Sequence, residues 1–163
     1  MYYLPGWSMM HIKDVEIRNV HDYNRMLTDR QFWAGLEYDK VLIFQHDSMI
    51  LRDGIDEFLD WDFVGSPWRT DTSWARPDRH GGNGGISVRD VDAHATLLRH
   101  THYHPCMGNE DVFFVHHLPN VAPYEVCSRF GVETEFRLGT LCYHQIDERL
   151  TVEQCHQVRN QYA

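Results

Sequence analysis

The stretch Lys40-Val-Leu-Ile-Phe-Gln-His-Asp-Ser-Met49 decides how the rest of the chain is read. From Val41 to Phe44 the side chains are β-branched, aliphatic and aromatic with no polar alternation, the pattern of a strand covered on both faces in the middle of an α/β sheet. The run stops abruptly at Gln45-His46-Asp47-Ser48. Ligands in open α/β sheets gather at the carboxyl ends of the strands, so a carboxylate where this strand emerges is suited to a cation or a substrate. Asp and Ser also cap the turns that follow strands. Asp47 is a candidate site residue on the first reading and a turn cap on the second.

Working outward, 163 residues fit one domain over 1–163, able to bury roughly 70% of its unfolded surface. A hydrophobic share of 42% with five Trp indicates a folded globular protein rather than a disordered one. The formal net charge is −9, from 24 acidic and 15 basic residues, which provides no general attraction for DNA, RNA or an anionic bilayer. Nucleic acid is therefore not expected as a partner. A phosphorylated ligand would need local compensation from a metal ion or from Arg residues such as Arg52, Arg69, Arg76, Arg79 and Arg89. Cys106, Cys127, Cys142 and Cys155 form no C-x-x-C pair, so reduced thiols are the simpler reading. Nothing near Met1 resembles a signal peptide and no apolar run reaches the roughly 18 residues of a membrane span. The expectation is a soluble, cytoplasmic protein.

Val15-Glu-Ile-Arg-Asn-Val20 alternates as a half-exposed strand would, and Asp22 is placed to cap a helix across Tyr23 to Leu36. After the central run, Ile55 to Leu59 reads as one or two helical turns and Asp62-Phe-Val-Gly65 as a second buried strand. Residues 69–82, with Trp74 and Pro77, have the composition of a long functional loop. Ile86 to Arg89 reads as a strand, Val91 to Arg99 as a helix beginning near Asp90, and Glu110 to Leu118 as a second short helix ended by Pro119. Tyr124 to Arg129 reads as a helical turn, Phe130 to Phe136 as extended, and Leu141-Cys-Tyr-His144 follows.

Three further stretches could carry chemistry. Gly81-Gly-Asn-Gly-Gly85 allows positive φ and close backbone approach, with amides that could meet an anion or a sugar hydroxyl, though a plain turn explains it equally. It lacks the Lys-Ser/Thr of a P-loop and the spacing of a dinucleotide fingerprint. In Gly108-Asn-Glu-Asp-Val112 two carboxylates open a helix, where the dipole favours them; beside an apolar wall such a carboxylate can also serve as a general base. His100-Thr-His-Tyr-His104 would place three imidazoles on one face if it were a strand, a zinc-like arrangement, or it is a polar surface turn.

Taken in order, Tyr23-Asn-Arg-Met-Leu-Thr28, Phe32-Trp33, Lys40 to Ser48, Asp62-Phe-Val-Gly-Ser-Pro-Trp68, Gly82-Asn-Gly-Gly-Ile-Ser-Val-Arg89, Asn109-Glu-Asp-Val-Phe-Phe114 and Phe130-Gly-Val-Glu133 resemble an uncharacterised glycosyltransferase-like domain family of the GT-A kind. The resemblance covers roughly Tyr23 to His144. It implies an α/β, Rossmann-like mixed sheet flanked by helices, and a transferase that moves a sugar from a nucleotide-sugar donor to a glycan or other hydroxyl acceptor with Mn²⁺ or Mg²⁺. Gln45-His46-Asp47 sits where such enzymes carry Asp-x-Asp, so Asp47 is the implied metal ligand and Gln45, in place of the first Asp, a substrate contact. His144 resembles the late histidine that completes the metal shell in several such enzymes.

Glu110-Asp111-Val112 resembles the Glu-Asp-Val motif of β-1,3-glycosyltransferases, which implies Asp111 as the base of an inverting reaction and Glu110 as a residue that orients it or shares the role. Gly82, Asn83, Gly84 and Gly85 would line the donor sugar and acceptor, and Trp68 would offer a stacking face. Only about 40 residues precede the metal-binding strand, fewer than the resemblance calls for. Part of the N-terminal nucleotide-binding half is expected to be missing, to be supplied by an oligomeric partner or by a longer chain, or else the fold persists without turnover as a nucleotide- or glycan-binding module. A third reading is a metal-dependent hydrolase built on His46, Asp47 and the histidines at 100 to 104.

Overall fold

The apolar run does form a strand, β1 (Lys40–Phe44), but it lies at the edge of its sheet. The structure, a computed structural model, describes residues 4, 6–10, 12, 15–73 and 79–162. Its first sheet has three antiparallel strands in the order β1, β4 (Asn83–Asp90), β3 (Phe63–Ser66). The middle position belongs to β4, buried from Gly84 to Arg89, whereas β1 is half-buried and Phe44 is 55% exposed. Hydropathy pointed to β1 because it reads side chains singly. β4 is buried through glycines and polar residues that satisfy one another, as described below.

A second sheet has the order β2 (Ser48–Ile50), β6 (Cys142–His144), β5 (Gly131–Val132), antiparallel between β2 and β6 and parallel between β5 and β6. Residues 45–47 carry the chain from the first sheet into the second. The Gly85 carbonyl accepts both Gln45 N (2.8 Å) and Ser48 Oγ (3.2 Å), so this turn is wrapped around β4.

Helices pack on both faces of the first sheet. Alternation along β3 sends Phe63 to one side, with Trp33, Leu98 and Phe114, and Val64 to the other, with Phe58 and Phe130. Helix α3 (Val91–His100) begins where the sequence places it, with the Asp90 side chain accepting from Ala93 N at 2.7 Å. Helices α4 (Glu110–His117) and α5 (Tyr124–Phe130) follow, then α6 (Ile146–Arg149) and α7 (Val152–Asn160), the last opened by a Thr151–Gln154 capping box. The architecture is mixed α/β, with small sheets flanked by helices. Among the described residues no helix is long and apolar enough to cross a membrane.

Several local expectations are corrected. Residues 15–18 are not a strand; Asn19 caps α1 (Val20–Leu27) by accepting from His21 N and Asp22 N. The single helix expected through Leu36 is two, because Asp29 accepts from Gln31 N and restarts the chain as α2 (Arg30–Ala34). The two pack tightly, Trp33 Nε1 donating to Leu27 O at 2.6 Å. Beyond β5 the extended segment expected to Phe136 does not continue as strand. His100 ends α3 and His104 caps a 3-10 turn (Pro105–Met107), so the three histidines share no strand face. Trp74, Arg76 and Pro77 lie outside the described residues.

Candidate functional site

Asp111 stands in the first turn of α4 and is 8% exposed. One oxygen accepts from Gly84 N (3.0 Å) and the other from Val112 N (2.8 Å), which fixes the carboxylate against the start of β4. Burial first, and the neighbouring Glu110 charge second, push its pKa from 3.8 up to about 6. A carboxylate poised there is ionised at neutral pH yet basic enough to take a proton.

Glu110 is committed elsewhere. Arg89, fully buried on β4, grips it with two bonds of 2.6 and 2.9 Å, while Arg89 Nε donates to Ser87 Oγ and its guanidinium lies over Phe63 at 4.6 Å. Glu110 therefore neutralises Arg89, anchors α4 to β4 and raises the pKa of Asp111. The entry of α4 is held by Asn24 of α1, whose amide nitrogen donates to Asn109 Oδ1 (3.1 Å) and whose oxygen accepts from Glu110 N (3.3 Å).

The glycines act differently from the sequence reading. Their amides are taken: Gly81 N by Ala122 O, Gly82 N by His80 O, Gly84 N by Asp111 and Gly85 N by Asn83 Oδ1. What matters is close approach. A Cβ on Gly84 would meet Glu110 Oε1 at 2.6 Å and Arg89 NH2 at 2.7 Å, and a Cβ on Gly85 would lie 2.1 Å from the His144 ring. Between Gly65 and Ser66 the β3–β4 register shifts, a bulge at the start of β4. Gly82 is buried with φ +87 against the Ser66 and Gly65 carbonyls and supports this backbone rather than a ligand.

His144, 4% exposed, ends β6 on the other side of Gly85. Its Nε2 is 3.1 Å from Gln45 Oε1 and 3.4 Å from Asp47 Oδ1, and its Nδ1 is 3.2 Å from Glu133 Oε2. Asp47 Oδ1, Glu133 Oε2 and His144 Nδ1 are buried without a hydrogen bond of good geometry. The next residue, Gln145, has φ 52, the one non-glycine at positive φ among the described residues, and its amide donates to the Asp47 carbonyl.

These two groups share one cleft of about 280 Å³, whose lining includes Asn83, Gly84 and Gly85 between Asp111 and His144. Tyr23, Gln45, Glu133 and Arg149 are also in its walls. The Tyr23 hydroxyl is buried and, among the described residues, makes no hydrogen bond of good geometry; burial and Glu110 push its pKa up to about 12, so it remains a donor. A cleft of about 310 Å³ between the ends of α1, α2 and α3 is lined by Arg30, Arg99 and His102 but carries no buried base.

The donor set fits a divalent cation. Separations of 3.1 and 3.4 Å between Nε2 and the oxygens of Gln45 and Asp47 suit neighbouring ligands on a small octahedral ion with bonds of about 2.1 Å. Among the described residues no group of three or more His, Cys, Asp and Glu converges on one point, so most of the coordination would fall to water and ligand oxygens, as Mg²⁺ prefers. His46 and the histidines at 100 to 104 form no such group either.

Trp68 is not brought to the cleft. It is 7% exposed in the core beside Leu118 and Val121, so its rings offer no stacking face. The arginines named from the sequence are also engaged elsewhere: Arg52 with Glu57, Arg69 with Asp71, Arg79 with the carbonyls ending α4, and Arg89 with Glu110. The cation at the cleft is Arg149, bonded to Gln145 Oε1 at 3.1 Å, and no sequence signal singled it out. Tyr23 and Glu133 stood within the matched stretches without an assigned role. Neither a curated protein nor a solved structure matches the chain. Residues 6–150 match the family model described as protein of unknown function (DUF5672), and the chain belongs to that family.

Proposed function

We propose that the protein is a divalent-metal-dependent glycosyltransferase of GT-A-like fold that moves a sugar from a nucleotide-sugar donor to a hydroxyl acceptor with inversion. The observation that supports this best is the single cleft lined by a desolvated carboxylate of pKa about 6 and, across Gly84 and Gly85, by Gln45 and His144, with Asp47 behind them 3.4 Å from the His144 ring. Asp111 takes the proton of the acceptor hydroxyl as its oxygen bonds to the anomeric carbon and the bond to the donor phosphate breaks. Glu110, held by Arg89, keeps Asp111 basic, and Tyr23 donates a hydrogen bond to a substrate oxygen. Asp47, His144 and the Gln45 amide would hold Mn²⁺ or Mg²⁺, which when bound neutralises charge on the departing diphosphate. Arg149 adds a second positive charge at the same end.

The test is release of nucleoside diphosphate from a panel of nucleotide sugars and glycan acceptors with Mn²⁺. Asp111→Asn and Asp47→Asn should each abolish protein-dependent release while remaining folded. Full release by both variants would overturn the mechanism. A cleft of about 280 Å³ is at the small end for a ligand pocket, which favours a second reading, a module that binds a nucleotide or glycan without turnover. Binding with no release across the panel would select it.

A further inference from the structure

Strand order explains why three residues distant in sequence meet. In the sheet β2–β6–β5, Ser48 pairs with His144 and Val132 with Tyr143, so one step along the ladder sets Glu133 beside His144 on one side, with Asp47 on the other. The imidazole lies between two carboxylates, Asp47 toward Nε2 at 3.4 Å and Glu133 toward Nδ1 at 3.2 Å. The ring nitrogens point apart, so the two carboxylates cannot both join His144 on one cation. A Cβ on Gly85 would stand 2.1 Å from Cε1, the atom between the nitrogens, so only glycine leaves the ring this place. Nε2 faces two oxygens, Gln45 Oε1 at 3.1 Å and Asp47 Oδ1 at 3.4 Å, whereas Nδ1 faces the Glu133 carboxylate alone.

We infer that Glu133 is a positioning residue: it holds the proton of His144 on Nδ1 and leaves Nε2 free to bind a divalent cation together with Asp47. A buried carboxylate behind a ligating histidine fixes the ring and raises its basicity, and removing such a partner weakens metal binding ten- to a hundredfold. Glu133 is only 5% exposed, and the low local dielectric around it strengthens that contact. This rests on the metal-dependent reading above, and the experiment separates the two.

Mn²⁺ alone is titrated into the full chain at pH 7.5, with the signal of free aqueous Mn²⁺ followed by electron paramagnetic resonance, for the wild type, Asp47→Asn and Glu133→Gln. The amide of Glu133→Gln keeps the size of the side chain but can offer an N–H to Nδ1. It should raise the Kd for Mn²⁺ tenfold or more while leaving the metal-free melting temperature near that of the wild type. With Mg²⁺ in place of Mn²⁺, long-range ¹H–¹⁵N spectra of the histidine rings, with His144 assigned through His144→Gln, should show the proton on Nδ1. Wild-type affinity in Glu133→Gln, or a Mg²⁺-bound ring protonated on Nε2, overturns the inference while the metal-dependent reading stands. Failure of the wild type to bind Mn²⁺ at millimolar concentration overturns both.

Discussion

Asp111 weakens the fold in which it sits. Its pKa of about 6 lies above the ordinary 3.8, so between those values the folded state binds a proton that the unfolded chain does not. Its contribution is fully present below pH of about 4 and is lost as pH rises through about 6; at neutral pH the buried charge costs on the order of 2 to 3 kcal/mol relative to acid. We expect the stability of the wild type relative to Asp111→Asn to rise by about 2 kcal/mol between pH 7.5 and pH 4.5, as read by urea unfolding at the two pH values. A constant difference would mean that Asp111 does not titrate there. On the proposed mechanism turnover has the opposite dependence and should fall as pH drops through about 6, because it needs the ionised base. Gly85 gives a second residue-scale expectation. Ala at this position places a methyl 2.1 to 2.4 Å from three ring atoms of His144, and the ring must leave its place between Asp47 and Glu133. Gly85→Ala should lose Mn²⁺ affinity at least as severely as Glu133→Gln, in the same resonance titration.

At the level of elements, β4 and α4 are joined by a buried ion pair where an apolar contact might be expected. Arg89 and Glu110 are almost wholly enclosed and bonded twice, and the guanidinium also lies over Phe63 and Phe114. Removing one partner leaves the other charged and enclosed, which costs about 3 to 5 kcal/mol. Arg89→Met should lower the unfolding free energy by that amount in denaturant titration, whereas Arg89→Met combined with Glu110→Leu should recover much of it. Recovery of stability need not restore function, because Glu110 also raises the pKa of Asp111. The second sheet works by register: its three short strands add Ile50, Val132, Cys142 and Tyr143 to the core, and their pairing sets Asp47, His144 and Glu133 in a row.

For the whole molecule, any ligand that binds only the folded state stabilises it by RT ln(1 + [L]/Kd). At about 100 Kd this is roughly 2.7 kcal/mol, or about 5 to 10 °C in melting temperature for a chain of this length. We expect Mn²⁺ with a nucleoside diphosphate to produce such a shift in the wild type and not in Asp47→Asn, measured by thermal unfolding; an equal shift in both would remove Asp47 from the site. Much of the local structure was legible in the sequence. Asp90 opens α3, Pro119 follows the end of α4, the apolar run marks β1, and the double glycines mark a backbone that others must approach closely. These features depend on neighbours within a few residues, where propensity and steric limits act directly. The arrangement of the cleft was less legible. That β4 and not β1 is central, that Trp68 is core, that Glu110 is occupied by Arg89, and that Glu133, Asn24, Tyr23 and Arg149 surround the site follow from how separate elements pair and pack. A single side chain read by its hydropathy does not reveal its partner, so Arg89 reads as surface until Glu110 is beside it. The sequence by itself determined the elements and suggested the chemistry of Asp47, Asp111 and His144. Only the tertiary structure decided which of them face one another, because strand register and long-range packing set those distances.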